Sequence, residues 1–237
     1  VDMAARGLFP ENARCYLERV DLAIDHHPSQ AFFAAQTCLD AGRAACGELI
    51  YDILRELGPI PPAMAIPLYV AVSTDTGCFQ YSNTTADTHR VAAALMDTGI
   101  DVFPLNKRHF RTKSWARLQV ERLLTERMHR YEGGKIAVAP VSLSLMDEAG
   151  ATEEDMEDIA AFLGQIEGVE TSVTIRELAE GGCKLSVRTS GGLNATKVCA
   201  LLGGGGHAAA AGCTVSGTLV EAEAAILDAI RQVEARA

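Results

Sequence analysis

The chain has 237 residues, of which 48% are hydrophobic and 22% are charged, and its formal net charge at pH 7 is -10. This balance is typical of a globular protein with one large or two small domains and excludes a disordered chain. No apolar run reaches the roughly 20 residues that a membrane crossing needs, and the acidic balance argues against a general binder of duplex DNA.

The first half of the chain predicts a strand followed by helices. The apolar run Leu22-Ala23-Ile24 ends in Asp25-His26-His27, which indicates a buried strand with polar residues at its C-terminal end. Apolar residues at helical spacing predict helices over 44–57 and 88–99. The stretch 62–72 is ambiguous, because Pro62 could open a helix whereas Pro67 would kink one.

A basic segment, 107–130, stands out in this acidic chain. Its apolar residues predict a helix, and its charge allows two interpretations: a solvated connector, or a basic wall that faces an anionic ligand. In the second half, alternating patterns predict strands over 135–141, 169–176 and 183–188, and helices over 152–163, 194–202, 208–211 and 219–233. Helices and strands alternate in both halves, so the sequence predicts an α/β or mixed α+β fold.

Three short motifs carry groups that can do chemistry. Asp25-His26-His27 offers carboxylate and imidazole groups at a strand end, a combination that suits Mn, Zn or Fe better than Ca, although alone it is equally typical of a surface turn. Asp75 lies in Ser-Thr-Asp-Thr-Gly, which alone could be an Asx-turn. Four glycines precede His207, where backbone N–H groups could approach a phosphate or where the chain could form a flexible linker.

Together, the three motifs in this order resemble the DHH/DHHA1 phosphoesterase family, and within it the nanoRNase/pAp phosphatase branch. The resemblance covers essentially the whole chain. It implies an α/β fold with an N-terminal DHH domain over 1–115, built on a parallel sheet with flanking helices and incomplete at its start. A helical connector over 116–133 and a smaller α+β DHHA1 domain over 134–237 would follow.

The resemblance also implies roles for particular residues. Asp2, His26 and Asp75 match metal ligands, with Asp2 at the position that bridges two metals in the family. Asp25 and His27 match the catalytic part of the motif: Asp25 would hold an imidazole by a hydrogen bond, and His27 would protonate the leaving oxygen. In the C-terminal half, the positions that match substrate-binding residues of the family are Arg188, Gly204, Gly205, Gly206 and His207.

Two departures from the family pattern bear on activity. The family's first motif, His-x-x-x-Asp-x-Asp, belongs upstream of Asp2, and the chain begins at Val1 without it, so we expect a chain that lacks its natural start. Gln80 stands where similar proteins commonly carry a basic residue, which would remove one phosphate contact.

The function implied by the resemblance is two-metal hydrolysis of short oligoribonucleotides, of 3′-phosphoadenosine 5′-phosphate (pAp), or of both. Two Mn²⁺ ions are expected in the complete protein, with Mg²⁺ as a substitute. Alternatives are a hydrolase of cyclic dinucleotides or other small phosphoesters, and a non-catalytic nucleotide-binding protein. The seven scattered cysteines, without C-x-x-C spacing, favour a cytoplasmic protein, and the oligomeric state stays open, a homodimer included.

Overall fold

A computed structural model describes residues 1–156 and 159–236 of the chain. The chain divides into two compact units, Val1–Thr112 and Lys113–Ala237. Among the described residues, no helix combines the length and the apolar character that a membrane crossing requires.

The first unit places a short parallel strand pair before a group of helices. Its elements are β1 (Leu22–Asp25), β2 (Gln36–Leu39), α1 (Cys46–Leu57), α2 (Pro62–Asp75), α3 (Ala86–Met96) and α4 (Val102–Phe110). The two strands pair in parallel from Leu22 opposite Gln36 to Asp25 opposite Leu39. The predicted strand before the two histidines is therefore confirmed, and its carboxyl end is Asp25.

The ambiguous stretch after Gly58 is a helix. Pro62 occupies the first turn of α2, and Pro67 lies inside the helix, where it removes one backbone donor. The helix continues because Leu68, Tyr69 and Val72 are buried in a core shared with α1 and α3. Tertiary packing thus outweighs the cost of the internal proline.

The basic segment 107–130 does not form one helix as predicted. It forms the end of α4 and a separate helix, α5 (Trp115–Arg127), with a break at 111–114. The break follows from capping, because the Ser114 hydroxyl accepts a 2.9 Å hydrogen bond from the backbone N–H of Arg117 and so begins a new helix.

The second unit is a mixed sheet with helices on both faces. After α5, its elements are β3 (His129–Tyr131), β4 (Ile136–Val141), α6 (Leu143–Ala149), α7 (Ile159–Leu163), β5 (Thr171–Glu177), β6 (Cys183–Thr189), α8 (Ala195–Ala200), β7 (Gly205–His207), β8 (Ala210–Val215) and α9 (Leu219–Glu234). The strand order is β3-β4-β5-β6-β8-β7. The β4–β5 pair is parallel and the other neighbours are antiparallel.

The two faces of this sheet bury separate cores. Ile136 and Val138 of β4 face the cluster with α8 and α9, whereas Ala137 and Ala139 face the cluster with α5 and α6. This strand is buried on both sides, which explains its nearly unbroken apolar sequence. Helix α5 contributes to the second core, so the segment predicted as a connector, 116–133, lies within the second unit. The second unit is therefore the longer of the two.

The alanine-rich segment 208–211 is not the predicted helix. Ala210 and Ala211 begin β8, and the preceding residues turn back from β7. Four alanines are too few to nucleate a helix, whereas pairing with β6 and β7 supplies a ladder of hydrogen bonds. The predicted helix 152–163 is in its described part a short turn, Glu154–Met156, and α7; residues 157 and 158 lie outside the described residues.

Candidate functional site

Asp25 organises the end of β1. Its side chain is fully buried, and Oδ1 accepts backbone hydrogen bonds from His26 at 2.7 Å and His27 at 3.1 Å. The same oxygen lies 2.7 Å from Nδ1 of His27, and Oδ2 accepts a hydrogen bond from Gln30. A single carboxylate therefore fixes the backbone of both histidines and the ring of the second.

The hydrogen bonds keep Asp25 ionised in spite of its burial. Burial alone would raise the pKa of this carboxyl, but the bonds from His27 and from the two backbone N–H groups together lower it below its ordinary value. Since Asp25 carries a charge, it is a strong hydrogen-bond acceptor for Nδ1 of His27.

The His26 ring presents one nitrogen to two carboxylates. Nδ1 lies 3.2 Å from the carbonyl oxygen of Arg43. Because a carbonyl oxygen only accepts, Nδ1 carries a proton, which leaves Nε2 as the ring nitrogen that can bind a cation. Nε2 lies 3.4 Å from an Asp2 oxygen and 3.5 Å from an Asp75 oxygen.

This arrangement fits a divalent cation. Oxygen and imidazole ligands at about 2.0 to 2.2 Å from one ion are about 3.0 to 3.5 Å from each other, which matches the distances around His26 Nε2. Burial first, and then the charge of Asp2, raise the pKa of Asp75. A positive charge nearby would therefore stabilise the ionised form of Asp75. A mixed set of carboxylates and imidazole suits Mn²⁺ or Zn²⁺.

Different elements bring the two carboxylates to the ring. Asp2 donates its backbone N–H to the Ile24 carbonyl at 2.9 Å, which places it beside β1, and its φ of 60° is unusual for a residue other than glycine. Asp75 is the last residue of α2. The sequence predicted a polar turn around Asp75, and in the structure the turn begins directly after it.

That turn is tight and left-handed. Gly77, Cys78 and Phe79 all have positive φ values, between 54° and 66°. A Cβ on Gly77 would lie 2.4 Å from the Tyr81 ring, so this position requires glycine. Gln80 follows in the turn and is exposed.

His27 lies beside the same group. Its Nδ1 is 3.5 Å from the Asp2 oxygen, and Asp2, His26 and His27 each offer a ligand atom within 4.8 Å of the others. The shorter contact of Nδ1, 2.7 Å to Asp25, makes it a hydrogen-bond donor. Nε2 is then the nitrogen that can transfer a proton, which separates His27 in chemistry from His26.

In the second unit, sheet register aligns two of the predicted substrate-binding residues. Arg188 of β6 pairs with Ala210 of β8, and Ala210 pairs with His207 of β7. Directly paired residues project from the same face, so Arg188 and His207 flank the small Ala210 side chain, with Cα atoms about 10 Å apart by strand spacing. This row is suited to an anion or a nucleotide lying across the strands.

The glycines beside this row differ in what an added side chain would contact. A Cβ on Gly204 would lie 2.2 Å from the Gly212 carbonyl oxygen, and one on Gly206 would lie 2.6 Å from the Ala210 carbonyl oxygen. A Cβ on Gly205 would meet nothing within 4 Å. Gly205 projects from the same face as His207, two residues away, so its missing side chain leaves that face open.

Comparison with known proteins identifies what the chain is similar to. The DHHA1 domain matches residues 133–235. The chain is 37% identical over 217 residues to the bifunctional oligoribonuclease and PAP phosphatase NrnA of Thermus thermophilus, covering 90% of this chain and 64% of that protein. The second unit therefore carries a DHHA1 domain.

A second relative matches a similar share of the chain at lower sequence identity. The bifunctional oligoribonuclease and PAP phosphatase NrnA of Bacillus subtilis is 24% identical over 201 residues, covering 82% of this chain and 62% of that protein. The chain thus spans less than two thirds of the length of these curated relatives. An exopolyphosphatase-related protein from Bacteroides fragilis superposes with a TM-score of 0.89 at 23% identity, covering 98% of this chain and 70% of that chain, which confirms the predicted fold class.

The sequence did not indicate the residues that contact and position the candidate metal ligands. The structure brings together the five predicted residues of the first unit, and it aligns Arg188 with His207 in the second. It also shows that Gln30, Arg43 and Asn83 contact the segments that carry the histidines and Asp75. Only Asn83 stood in a motif, Ser-Asn-Thr-Thr, and its spacing from Asp75 was the sole available signal.

Proposed function

We propose that the protein is a metal-dependent phosphoesterase that hydrolyses short oligoribonucleotides, pAp, or both, by a two-metal mechanism. The observation that carries the proposal is the His26 ring, whose Nε2 lies 3.4 and 3.5 Å from the Asp2 and Asp75 carboxylates. The relatives named as oligoribonuclease and PAP phosphatase support the substrate class.

In this proposal Asp2, His26 and Asp75 hold Mn²⁺, with Mg²⁺ as a substitute. A bound divalent cation supplies Lewis acidity, which stabilises negative charge on the phosphoryl oxygens and lowers the pKa of water. The arginine and histidine of the second unit allow an acidic chain to bind a phosphate without a broad basic surface.

Asp25 and His27 would handle the proton. Asp25 accepts from Nδ1 of His27 at 2.7 Å and so stabilises the doubly protonated ring. The proton on Nε2 is then the one donated to the leaving oxygen. Asp25 itself keeps its charge, because its hydrogen bonds lower its pKa.

The second unit would bind the part of the nucleotide away from the scissile bond. Arg188 offers a planar fork suited to phosphate, and His207 lies in the same cross-strand row. Gly204, Gly205 and Gly206 keep the adjoining backbone open to close approach.

The test is product release measured by chromatography from a diribonucleotide, from pAp and from a cyclic dinucleotide, each with Mn²⁺, with Mg²⁺ and with a chelator. We expect Mn²⁺-dependent hydrolysis of the first two, abolished by Asp75→Asn. Faster turnover of the cyclic dinucleotide would favour the other hydrolase class. Calorimetric binding of pAp without turnover under any metal would overturn the enzyme proposal and favour a nucleotide-binding protein. A cytoplasmic location, a homodimer and the absence of duplex-DNA binding stay predictions.

A further inference from the structure

Glu48 is a buried carboxylate that the proposed chemistry does not use. It lies in the first turn of α1 and is 1% exposed. Among the described residues, its Oε1 has no hydrogen-bond partner. Such a group is expensive to bury, and the nearest cation contact is a long one, 4.0 Å from Oε2 to the Arg43 guanidinium. A carboxylate is favoured in the first turn of a helix, but that role does not require burial with one oxygen left without a partner among the described residues.

One peptide group joins Glu48 to His26. The carbonyl oxygen of Arg43 accepts the hydrogen bond from His26 Nδ1 at 3.2 Å. The N–H of the same peptide, which belongs to Ala44, donates to Glu48 Oε2 at 3.3 Å. A carboxylate on the N–H side of a peptide polarises its carbonyl and makes it a stronger acceptor.

These contacts resemble a common arrangement around histidines that bind metals. Histidines that bind metals usually donate their other ring N–H to a carboxylate or a carbonyl, which fixes the tautomer and raises the basicity of the ligand nitrogen. Here the carbonyl contacts the ring and the carboxylate stands directly behind that carbonyl. The Glu48 carboxylate can therefore strengthen the hydrogen bond from His26 Nδ1 without contacting the ring itself.

Asn83 holds the same loop in place. Its Nδ2 donates to the carbonyl oxygen of Ala44 and to that of Asp75, each at 3.0 Å. One exposed side chain thus ties the loop behind His26 to the residue that offers the second carboxylate. A surface amide adds little to the free energy of folding, so both bonds matter chiefly for the relative position of the two segments.

We propose that Glu48 is a positioning residue for His26, acting through the Arg43–Ala44 peptide group, and that Asn83 fixes this peptide to the Asp75 segment. The inference rests on the proposed function in one respect, the role of His26 as a metal ligand. It requires a proton on His26 Nδ1, where the Arg43 carbonyl accepts it.

The first experiment replaces the charge and keeps the shape. Glu48→Gln can still accept from the Ala44 N–H, but it no longer polarises the peptide. The matched control is Glu121→Gln, which removes a carboxylate that is 7% exposed in the second unit, paired with Lys113 at 2.8 Å and Arg117 at 3.0 Å. Long-range ¹⁵N–¹H correlation spectra of metal-free protein report the proton on His26 Nδ1, and calorimetry with Mn²⁺ reports affinity.

We expect wild type and Glu121→Gln to keep the proton on His26 Nδ1. Glu48→Gln should lose part of the Nδ1 proton signal and bind Mn²⁺ about tenfold more weakly, the lower end of the range for residues behind metal ligands. If Glu48→Gln fails to fold, Asn83→Ala tests the same contacts from an exposed position, because it removes both donated hydrogen bonds without adding a charge. Its expected loss is about threefold, against no loss for Asn106→Ala, which removes a hydrogen bond to Tyr69 elsewhere in the unit.

An unchanged Nδ1 proton signal of His26 in both Glu48→Gln and Asn83→Ala would overturn the inference. So would an equal loss of Mn²⁺ affinity in Glu121→Gln, because the effect would then be general. If the protein neither binds Mn²⁺ nor hydrolyses phosphoesters, the proposed function fails, but the Nδ1 proton signal in metal-free protein still decides whether Glu48 acts on His26.

Discussion

The two units hold their candidate functional groups by opposite means. In the first, charged side chains are buried and fixed by hydrogen bonds, with Asp25 fully buried between two histidines. In the second, Arg188 and His207 are set by strand register, and the surface beside them is shaped by missing side chains. Folding and binding should therefore be coupled in the first unit and separable in the second.

The difference reflects what each proposed ligand demands. A small cation needs several charged atoms within about 3.5 Å of each other, which only a rigid hydrogen-bonded cluster can hold against repulsion. A nucleotide is larger and needs an open surface with a few directional contacts. The substitutions below test this contrast, beginning with the largest expected effect.

Asp25→Ala should destabilise the first unit more than any other substitution considered. The substitution removes the acceptor of two backbone N–H groups, of the His27 ring and of the Gln30 amide. The free energy of unfolding should therefore fall by about 3 to 5 kcal/mol. Urea denaturation measures this, with Asp21→Ala as a control at the exposed opposite end of β1. Equal stability of the two variants would contradict the role given to Asp25.

Gly204→Ala and Gly205→Ala should separate folding from binding in the second unit. The Gly204 variant places a methyl group 2.2 Å from the Gly212 carbonyl, so unfolding free energy should fall by about 1 to 3 kcal/mol. The Gly205 variant meets no atom and should be as stable as wild type, or more stable by about 0.5 kcal/mol. Its pAp affinity, measured by calorimetry, should nevertheless drop, and an unchanged affinity would show that this face is not the nucleotide surface.

Arg188→Ala should weaken pAp binding about tenfold, close to 1.4 kcal/mol, with no change in Mn²⁺ affinity. Arg188→Lys should restore only part of the loss, because an ammonium lacks the planar fork. Lys184→Ala, four residues away on the same strand and face, removes an equal charge as a control. A similar loss in the Lys184 variant would mean that net charge, rather than the Arg188 contact, determines affinity.

The smallest effect concerns acid stability of the second unit. Hydrogen bonds from the backbone and side chain of Thr218 lower the pKa of Glu221 below its ordinary 4.5, as part of the capping box of α9. The unfolded state then binds the proton more readily, so this stabilisation is present above pH 4.5 and is lost as the pH falls through the folded-state pKa. Glu221→Gln should flatten the dependence of stability on pH below 4.5, which denaturation at several pH values would detect; an unaltered slope would exclude this source.

Sequence alone predicted the parts of the fold where local pattern and packing agree. The strand before Asp25, the helix 44–57 and the β5–β6 pair followed from periodicity, and the motifs indicated which residues would meet. Pro67 left the stretch 62–72 ambiguous, because buried neighbours decide whether a helix continues through a proline. Glu48 was invisible as a partner of His26, since a peptide group 17 residues further along the chain connects them. Such links depend on tertiary contacts that no local spacing encodes.

Helix α5 lies outside the stretch that matches the DHHA1 domain but inside the second compact unit. The DHHA1 match begins at residue 133, yet Val120, Leu123 and Leu124 of α5 are buried in the core beneath β4. A fragment cut at the sequence boundary would leave that core open to water and prone to aggregate. A fragment that starts at Lys113 keeps the α5 side chains that line this core, so it is the better choice for studying the second unit by itself.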